Sequence, residues 1–185
     1  MEILIITGPP YSGKGTQCRI LKGKFGYNHI STGSHCRLEK ENNTVLGKIM
    51  SEYEEKGDLV PDAIIKDLFE NIIDKNLDKK GIILDGYPRT ISQVEDLLEL
   101  ITLKRLKIKT VLNINVPHNE LLVRAKKRAE TSSRADDKDS LIHKKRIEVF
   151  EEFTQPAIEF MKSKFNFIEV DGMGSVEEVT KTILE

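Results

Sequence analysis

The stretch GPPYSGKGT, Gly8 to Thr16, constrains this chain more than any other. Two glycines flank a four-residue gap and a lysine follows, the spacing of a loop whose backbone amides cradle phosphates. Such a loop needs a strand before it and a helix after it, and the flanking residues suit both. MEILIIT is an apolar run rich in isoleucine, of the length of a buried parallel strand. After the loop, Cys18, Ile20, Leu21 and Phe25 recur among basic residues as in a helix. The unpaired amides and positive dipole end of that helix suit an anion, and Lys14 would reach its terminal phosphates. One residue departs from the pattern. The slot whose hydroxyl usually meets Mg²⁺ holds Gly15, and the hydroxyl arrives one residue late, on Thr16.

Beyond the loop, apolar runs and helical stretches alternate to the end, which predicts an α/β fold with a parallel sheet flanked by helices. Strands are expected at Ile3–Thr7, Tyr27–Ser31, Gly81–Asp85, Thr110–Val116 and Phe165–Val170. Helices are expected near 14–24, 33–41, 44–56, 61–76, 90–101, 117–128, 138–162 and 175–184. Pro61 suits a first helical turn, and Asp62 the helix dipole. The polar stretch KKRAETSSRADDKD, 126–139, lacks apolar periodicity and reads as a surface loop or a lid. With 185 residues and no internal repeat, the chain fits a single domain. Its net charge of −1 gives no basic field for nucleic acid. Cys18 and Cys36 form neither a zinc pattern nor a disulfide framework, as in a reducing, cytoplasmic setting. No apolar run nears membrane-spanning length, and the first one leads into the loop instead of a cleavage site.

Downstream, GIILDGYPRT is an apolar strand that ends in Asp85 and enters a Gly-Tyr-Pro-Arg turn. Ligands of open α/β sheets bind beyond the carboxyl ends of the strands. A carboxylate there can hold Mg²⁺ through water, because Mg²⁺ keeps several waters and needs few protein ligands. Gly15 then need not supply a hydroxyl. Arg37, Arg89, Arg124, Arg128, Arg134 and Arg146 all fall near loops or helix ends in this reading. Any one of them alone reads as a solvated surface group. Together they suit phosphoryl transfer, where positioning and charge dominate and guanidinium forks grip phosphate oxygens in pairs. His29, His118 and His143 are scattered without metal spacing and read as surface or cap residues. Cys18 reads as a packed thiol, and Cys36 as accessible but not activated.

GPPYSGKGTQC, ISTG with Arg37, KGDLVPD, LDGYPRTISQ, RAKKRAETSSRADD and KKRIEVFEEFTQP together resemble the adenylate kinases of the short-lid cytosolic type. The resemblance runs in order over nearly the whole chain. It implies reversible transfer from ATP to AMP giving two ADP, with Mg²⁺ on the ATP side. It also implies a monomer with a P-loop NTPase fold of five parallel strands, a helical AMP-binding segment near 31–60 and a lid near 127–137. By position, Lys14 and the loop at Pro10, Tyr11, Ser12, Gly13, Gly15 and Thr16 would hold ATP, with Arg128 over its adenine and Gly174 near its base. Arg37 and Arg89 would hold the AMP phosphate, and Arg124, Arg134 and Arg146 would surround the moving group. Thr32, the backbone at Asp58, Leu59 and Val60, the turn Gly86-Tyr87-Pro88, and Gln93 would contact AMP.

Gln93 can donate to and accept from the Watson–Crick edge of adenine. The related UMP/CMP kinases have asparagines at the positions of Thr90 and Gln93 and commonly alanine at that of Thr32, so this sequence sides with AMP. A UMP/CMP kinase and a catalytically impaired nucleotide-binding module are the alternatives. The chain departs from the family at Ser34, usually aspartate, at His35 and Cys36, usually apolar, and at Ala129 and Ser133, commonly glycine. One extra residue between Asp137 and Arg146 would let Lys145 take the family's arginine position. The ten-residue spacing to Pro156 selects Arg146.

Overall fold

Along the first strand, Ile3 and Ile5 face one side and Leu4 and Ile6 the other, and all four are buried. A strand apolar on both faces belongs in the middle of a covered parallel sheet. A computed structural model, which describes residues 1–132 and 137–185, places it there. The strands β1 (Glu2–Thr7), β2 (Asn28–Ser31), β3 (Gly81–Asp85), β4 (Lys107–Asn115) and β5 (Phe167–Asp171) form one sheet in the order β2-β3-β1-β4-β5. Every neighbouring pair is parallel, so the five-stranded sheet expected from the sequence is present.

The helices are α1 (Lys14–Phe25), α2 (Thr32–Glu41), α3 (Val45–Lys56), α4 (Asp62–Asp74), α5 (Ile91–Leu103), α6 (His118–Thr131), α7 (Ser140–Val149), α8 (Gln155–Lys164) and α9 (Val176–Leu184). On one face, Ile3, Ile5, Ile82 and Leu84 pack with Phe69 of α4, Leu97 of α5 and Ile158 of α8. On the other, Leu4, Ile6, Ile83 and Ile114 pack with Cys18 and Leu21 of α1 and Val179 of α9. Each such side chain contributes roughly 1.5–3 kcal/mol through burial. The chain leaves β1 toward β2 and leaves β3 toward β4, so the sheet's order reverses between β1 and β3. Their carboxyl ends are aligned, with Ile6 opposite Asp85, and Ser31 of β2 lies opposite Asp85 on its other side. A crevice at that reversal is the ligand position of this architecture.

Three elements differ from expectation. β4 begins at Lys107, because Lys107 and Ile108 pair with Glu2 and Ile3 before a register shift. Its partly exposed KIKT start carries too few apolar residues to be read as a strand. α6 runs to Thr131, into the stretch read as loop or lid, since Ala125, Lys126, Lys127, Arg128 and Ala129 are strong helix formers. The single helix expected over 138–162 is α7 and α8 joined by a π-helical turn, Phe150–Thr154. Pro156 explains the turn. It lies in the first turn of α8 and would clash with the preceding turn of a regular helix. Widening the ladder there absorbs the misfit.

Candidate functional site

The loop between β1 and α1 turns on Gly8, at φ 133°, and a β-carbon there would stand 2.4 Å from the Ile114 carbonyl oxygen. Only glycine fits so close a main-chain approach. Gly13, in the left-handed region, caps α1 with no side-chain hydrogen bond, and the first turn carries no acid. The helix therefore presents its orphan amides to the crevice. The Lys14 ammonium donates to the carbonyls of Gly8 at 2.8 Å and Pro9 at 2.6 Å, inside its own loop. Burial pushes its pKa down to about 8, against the pull of the Asp85 carboxylate.

Asp85 ends β3 beside this loop. Burial alone would raise its pKa, but the hydrogen bond from His29 and the charges of Lys14, His29 and Arg89 hold it below the usual carboxylate range. Its Oδ2 lies 3.1 Å from His29 Nε2. A β-carbon on Gly15 would stand 3.7 Å from that same oxygen, so the residue that breaks the loop pattern leaves the carboxylate accessible. An ionised carboxylate keeps about four acceptor positions, so His29 leaves capacity for water-bridged Mg²⁺, a hard, oxygen-seeking ion. The donor set fits the metal.

A cleft of about 660 Å³ joins this loop to the carboxyl ends of β2 and β3, and Arg37, Arg89, Arg124, Arg128 and Arg146 all line it. Their guanidinium contacts are directional. Arg89 donates from Nε to Gly86 O at 2.7 Å, and Arg124 to Glu120 at 2.8 Å and Gly172 O at 2.9 Å. Arg128 reaches Asp137 at 2.9 Å, Arg146 reaches it at 3.3 Å, and Asp137 is fully buried. Arg128 also lies over the Tyr11 ring, whose hydroxyl meets His143 Nδ1. Arg37 donates to Ser34 Oγ at 2.9 Å, so the serine in place of the family's aspartate engages an arginine. Arg134 lies outside the described residues, as does Ser133.

Beside the cleft is a pocket of about 30 Å³ lined by Thr32, Cys36, Val60 and Gln93, with Glu54 and Arg89 shared between the two cavities. Asp58, Leu59 and Gly86 also line both. The Gln93 amide is fixed at both ends: Nε2 donates to Asp62 Oδ1 at 2.7 Å, and Oε1 accepts from the Arg89 amide at 2.7 Å. Thr90 caps α5 through the Gln93 amide and donates to Asp62 Oδ2 at 2.9 Å. Thr32 donates to Gly86 O at 2.9 Å.

Pro10, Tyr11, Gly13, Lys14, Gly15, Thr16 and Pro88 also line the cleft, and three other expected residues line neither it nor the adjoining pocket. The Tyr87 ring is buried and stacks on Phe69 with centroids 3.8 Å apart, because an aromatic at that turn points into the core. Ser12 is buried behind Lys14, and Gly174 lies between β5 and α9, away from the lining. Two histidines read as surface residues are part of the site: His29 on Asp85, and the buried His143 on Tyr11. His118 is exposed, as expected, beside Glu151. Cys36, read as accessible, is buried and its thiol pKa rises to about 12 through burial and the neighbouring Glu54. Cys18 is packed, as expected, and burial also pushes its pKa far up. Arg19, and Phe150 and Thr154 of the π-turn, line the cleft without a signal in the sequence.

The sequence model of the family described as Adenylate kinase matches residues 6–166. An adenylate kinase of Bacteroides thetaiotaomicron is 39% identical over 98% of this chain and 96% of its own length. One from Leptospira biflexa is 38% identical over 100% of this chain and 99% of its own. A third, from Flavobacterium psychrophilum, is 35% identical over 98% and 96%.

Proposed function

Because the chain belongs to the adenylate kinase family, we propose how its own residues perform the reversible transfer of a phosphoryl group from ATP to AMP, giving two ADP. The observation that carries the assignment of roles is the shared cleft. A phosphate loop and a pocket built around an amide open into one space, with Arg89 on the wall of both.

The donor phosphates lie on the α1 amides, and Lys14 exchanges its two loop carbonyls for their oxygens. Asp85 would hold Mg²⁺ through water, and the ion would screen charge on the donor phosphates. Thr16 helps to position the donor. Arg128 stacks on the donor base. Arg124, Arg146 and Arg134 surround the transferring group, Arg134 being assigned by the resemblance alone. Little covalent chemistry falls to the protein, so these preorganised charges supply most of the acceleration.

On the acceptor side, Arg37 and Arg89 hold the AMP phosphate. The Nε contact with Gly86 sets the direction of the Arg89 fork. Gln93 reads the base with its remaining N–H and lone pair. Its amide cannot turn over without setting N–H against the Arg89 N–H and its carbonyl against the Asp62 carboxylate. A fixed donor–acceptor order favours adenine over uracil, which presents the opposite order. The pocket beside Gln93 is small, about 30 Å³, so the segment 31–60 shifts to admit the base. With the lid expected near 127–137, of which 133–136 lie outside the described residues, it belongs to one domain spanning 1–185. We take the chain to act as a cytoplasmic monomer. Among the described residues no helix is long and apolar enough to cross a membrane, and both cysteines are unpaired.

A coupled assay for ADP formed from ATP with AMP, UMP or CMP tests this reading. AMP should be preferred over UMP at least tenfold, the order of discrimination that one lost hydrogen bond brings. A preference for UMP or CMP would overturn the acceptor assignment.

A further inference from the structure

Glu54 is a charge in the acceptor half that the mechanism above does not use. It is half-buried on α3. A β-carbon placed on Gly33 would stand 3.4 Å from Glu54 Oε1 and 3.1 Å from Arg37 Nη1, so the carboxylate is directed toward the start of α2, beside the arginine. Glu54 lines the cleft where Arg37 and Arg89 meet, and also the small pocket of Thr32, Cys36 and Gln93. Its charge acts on both sides, on the Cys36 thiol and on the Arg89 guanidinium.

A nucleoside monophosphate has a fixed order: phosphate, sugar, base. With the phosphate on Arg37 and Arg89 and the base against Gln93 and Thr32, the seam between the two cavities is the place of the sugar. A carboxylate at that seam repels the adjacent phosphate and gains only from donors. It is acceptor-only with about four lone-pair positions, so it can serve protein partners and a ligand together. The hydroxyls of the sugar are the donors that reach it whatever the base. Acidic side chains hold the ribose of dinucleotides for the same chemical reason.

We propose that Glu54 accepts a hydrogen bond from the 2′-hydroxyl of the acceptor nucleotide and thereby selects ribonucleoside over 2′-deoxyribonucleoside monophosphates. The proposal rests on the reading of AMP as acceptor. Its expected size is about 10–100-fold in kcat/KM, the worth of one hydrogen bond to a charged acceptor.

The test compares kcat/KM for AMP, 2′-deoxy-AMP and 3′-deoxy-AMP in the wild type, in Glu54→Gln and in Glu54→Met. In the wild type, AMP should exceed 2′-deoxy-AMP by that factor and exceed 3′-deoxy-AMP by less. The AMP to 2′-deoxy-AMP ratio should fall toward one in Glu54→Met and lie between in Glu54→Gln, which keeps a neutral acceptor. The ratio is insensitive to any change in phosphate attraction, because that change acts on both nucleotides alike. A wild-type preference for AMP below about threefold, less than one ordinary hydrogen bond contributes, overturns the proposal whatever the variants do. So does a ratio unchanged in Glu54→Met, which would leave the acceptor assignment standing. A wild type that makes no ADP from AMP overturns both.

Discussion

On the donor side of the cleft, Lys14 is held by main-chain carbonyls six and five residues before it. On the acceptor side, Gln93 is held by Asp62, thirty-one residues away, and by the amide of a neighbouring turn. The first arrangement follows from the local path of the chain, and any sequence with glycines at that spacing after a central strand produces it. The second exists only once α4 and α5 have packed and their side chains meet. In the proposed mechanism, main-chain machinery for phosphate, which every substrate carries, sits beside side-chain machinery for the base and sugar, which must be told apart. Substitutions on the donor side should therefore lower turnover with every acceptor alike, and those on the acceptor side should change which acceptor is used.

Lys14→Ala gives the largest expected effect, on the order of 10²–10³ in kcat with the fold intact, since it removes a preorganised charge from the transferring group. Circular dichroism and steady-state kinetics on the same sample check it, and the loss should be equal for AMP and 2′-deoxy-AMP. Near-normal turnover would remove the phosphate loop from the mechanism.

The depressed pKa of Lys14 gives a pH dependence of known sign. Above about 8 the ammonium of the empty loop loses its proton, so kcat/KM for ATP should fall as pH rises past that value. The fall should approach about tenfold per pH unit for a single essential group. Bound phosphates favour the charged form, so kcat itself should hold to higher pH. A kcat/KM that stays flat to pH 10 would show that the ammonium keeps its proton.

Gly47→Ala tests the acceptor segment. A β-carbon there would meet the Glu39 carbonyl carbon and oxygen at 2.2 Å, so α2 and α3 must separate. Overpacking of this kind typically costs about 1–3 kcal/mol. The expected result is a lower melting temperature and a raised KM for AMP, with KM for ATP little changed. A KM for ATP that rises as much as that for AMP would erase the distinction between the halves.

Gln93→Ala is the smallest change and the most selective. It strands Asp62 Oδ1 and the Arg89 amide together with the base edge, so it should cost about 1–3 kcal/mol of stability. The AMP to UMP ratio in kcat/KM should fall more than kcat with AMP does. Equal losses with both nucleotides would move Gln93 out of the base site.

These contrasts also explain what was legible beforehand. The sheet, the loop, Asp85 and the clustering of the arginines follow from local spacing and from where strands end, and the sequence states both. Asp62 read only as a helix-dipole residue, because its partner is Gln93 on the next helix. His29 and His143 read as surface residues, because nothing local indicates that Asp85 and Tyr11 will arrive beside them. Tyr87 reads as part of a ligand-contacting turn, whereas its ring is buried against Phe69. Pro156 was visible, but that a π-turn would absorb it depends on the helix continuing through it.

The central claim is that both halves of the cleft act on one phosphoryl group at once. Single-turnover transfer from γ-labelled ATP, with AMP present and then absent, tests it most directly. With AMP, the label should pass into the β-phosphate of newly formed ADP with almost none in inorganic phosphate, and without AMP it should stay in ATP. Label released as inorganic phosphate at the same rate with and without AMP would contradict the account.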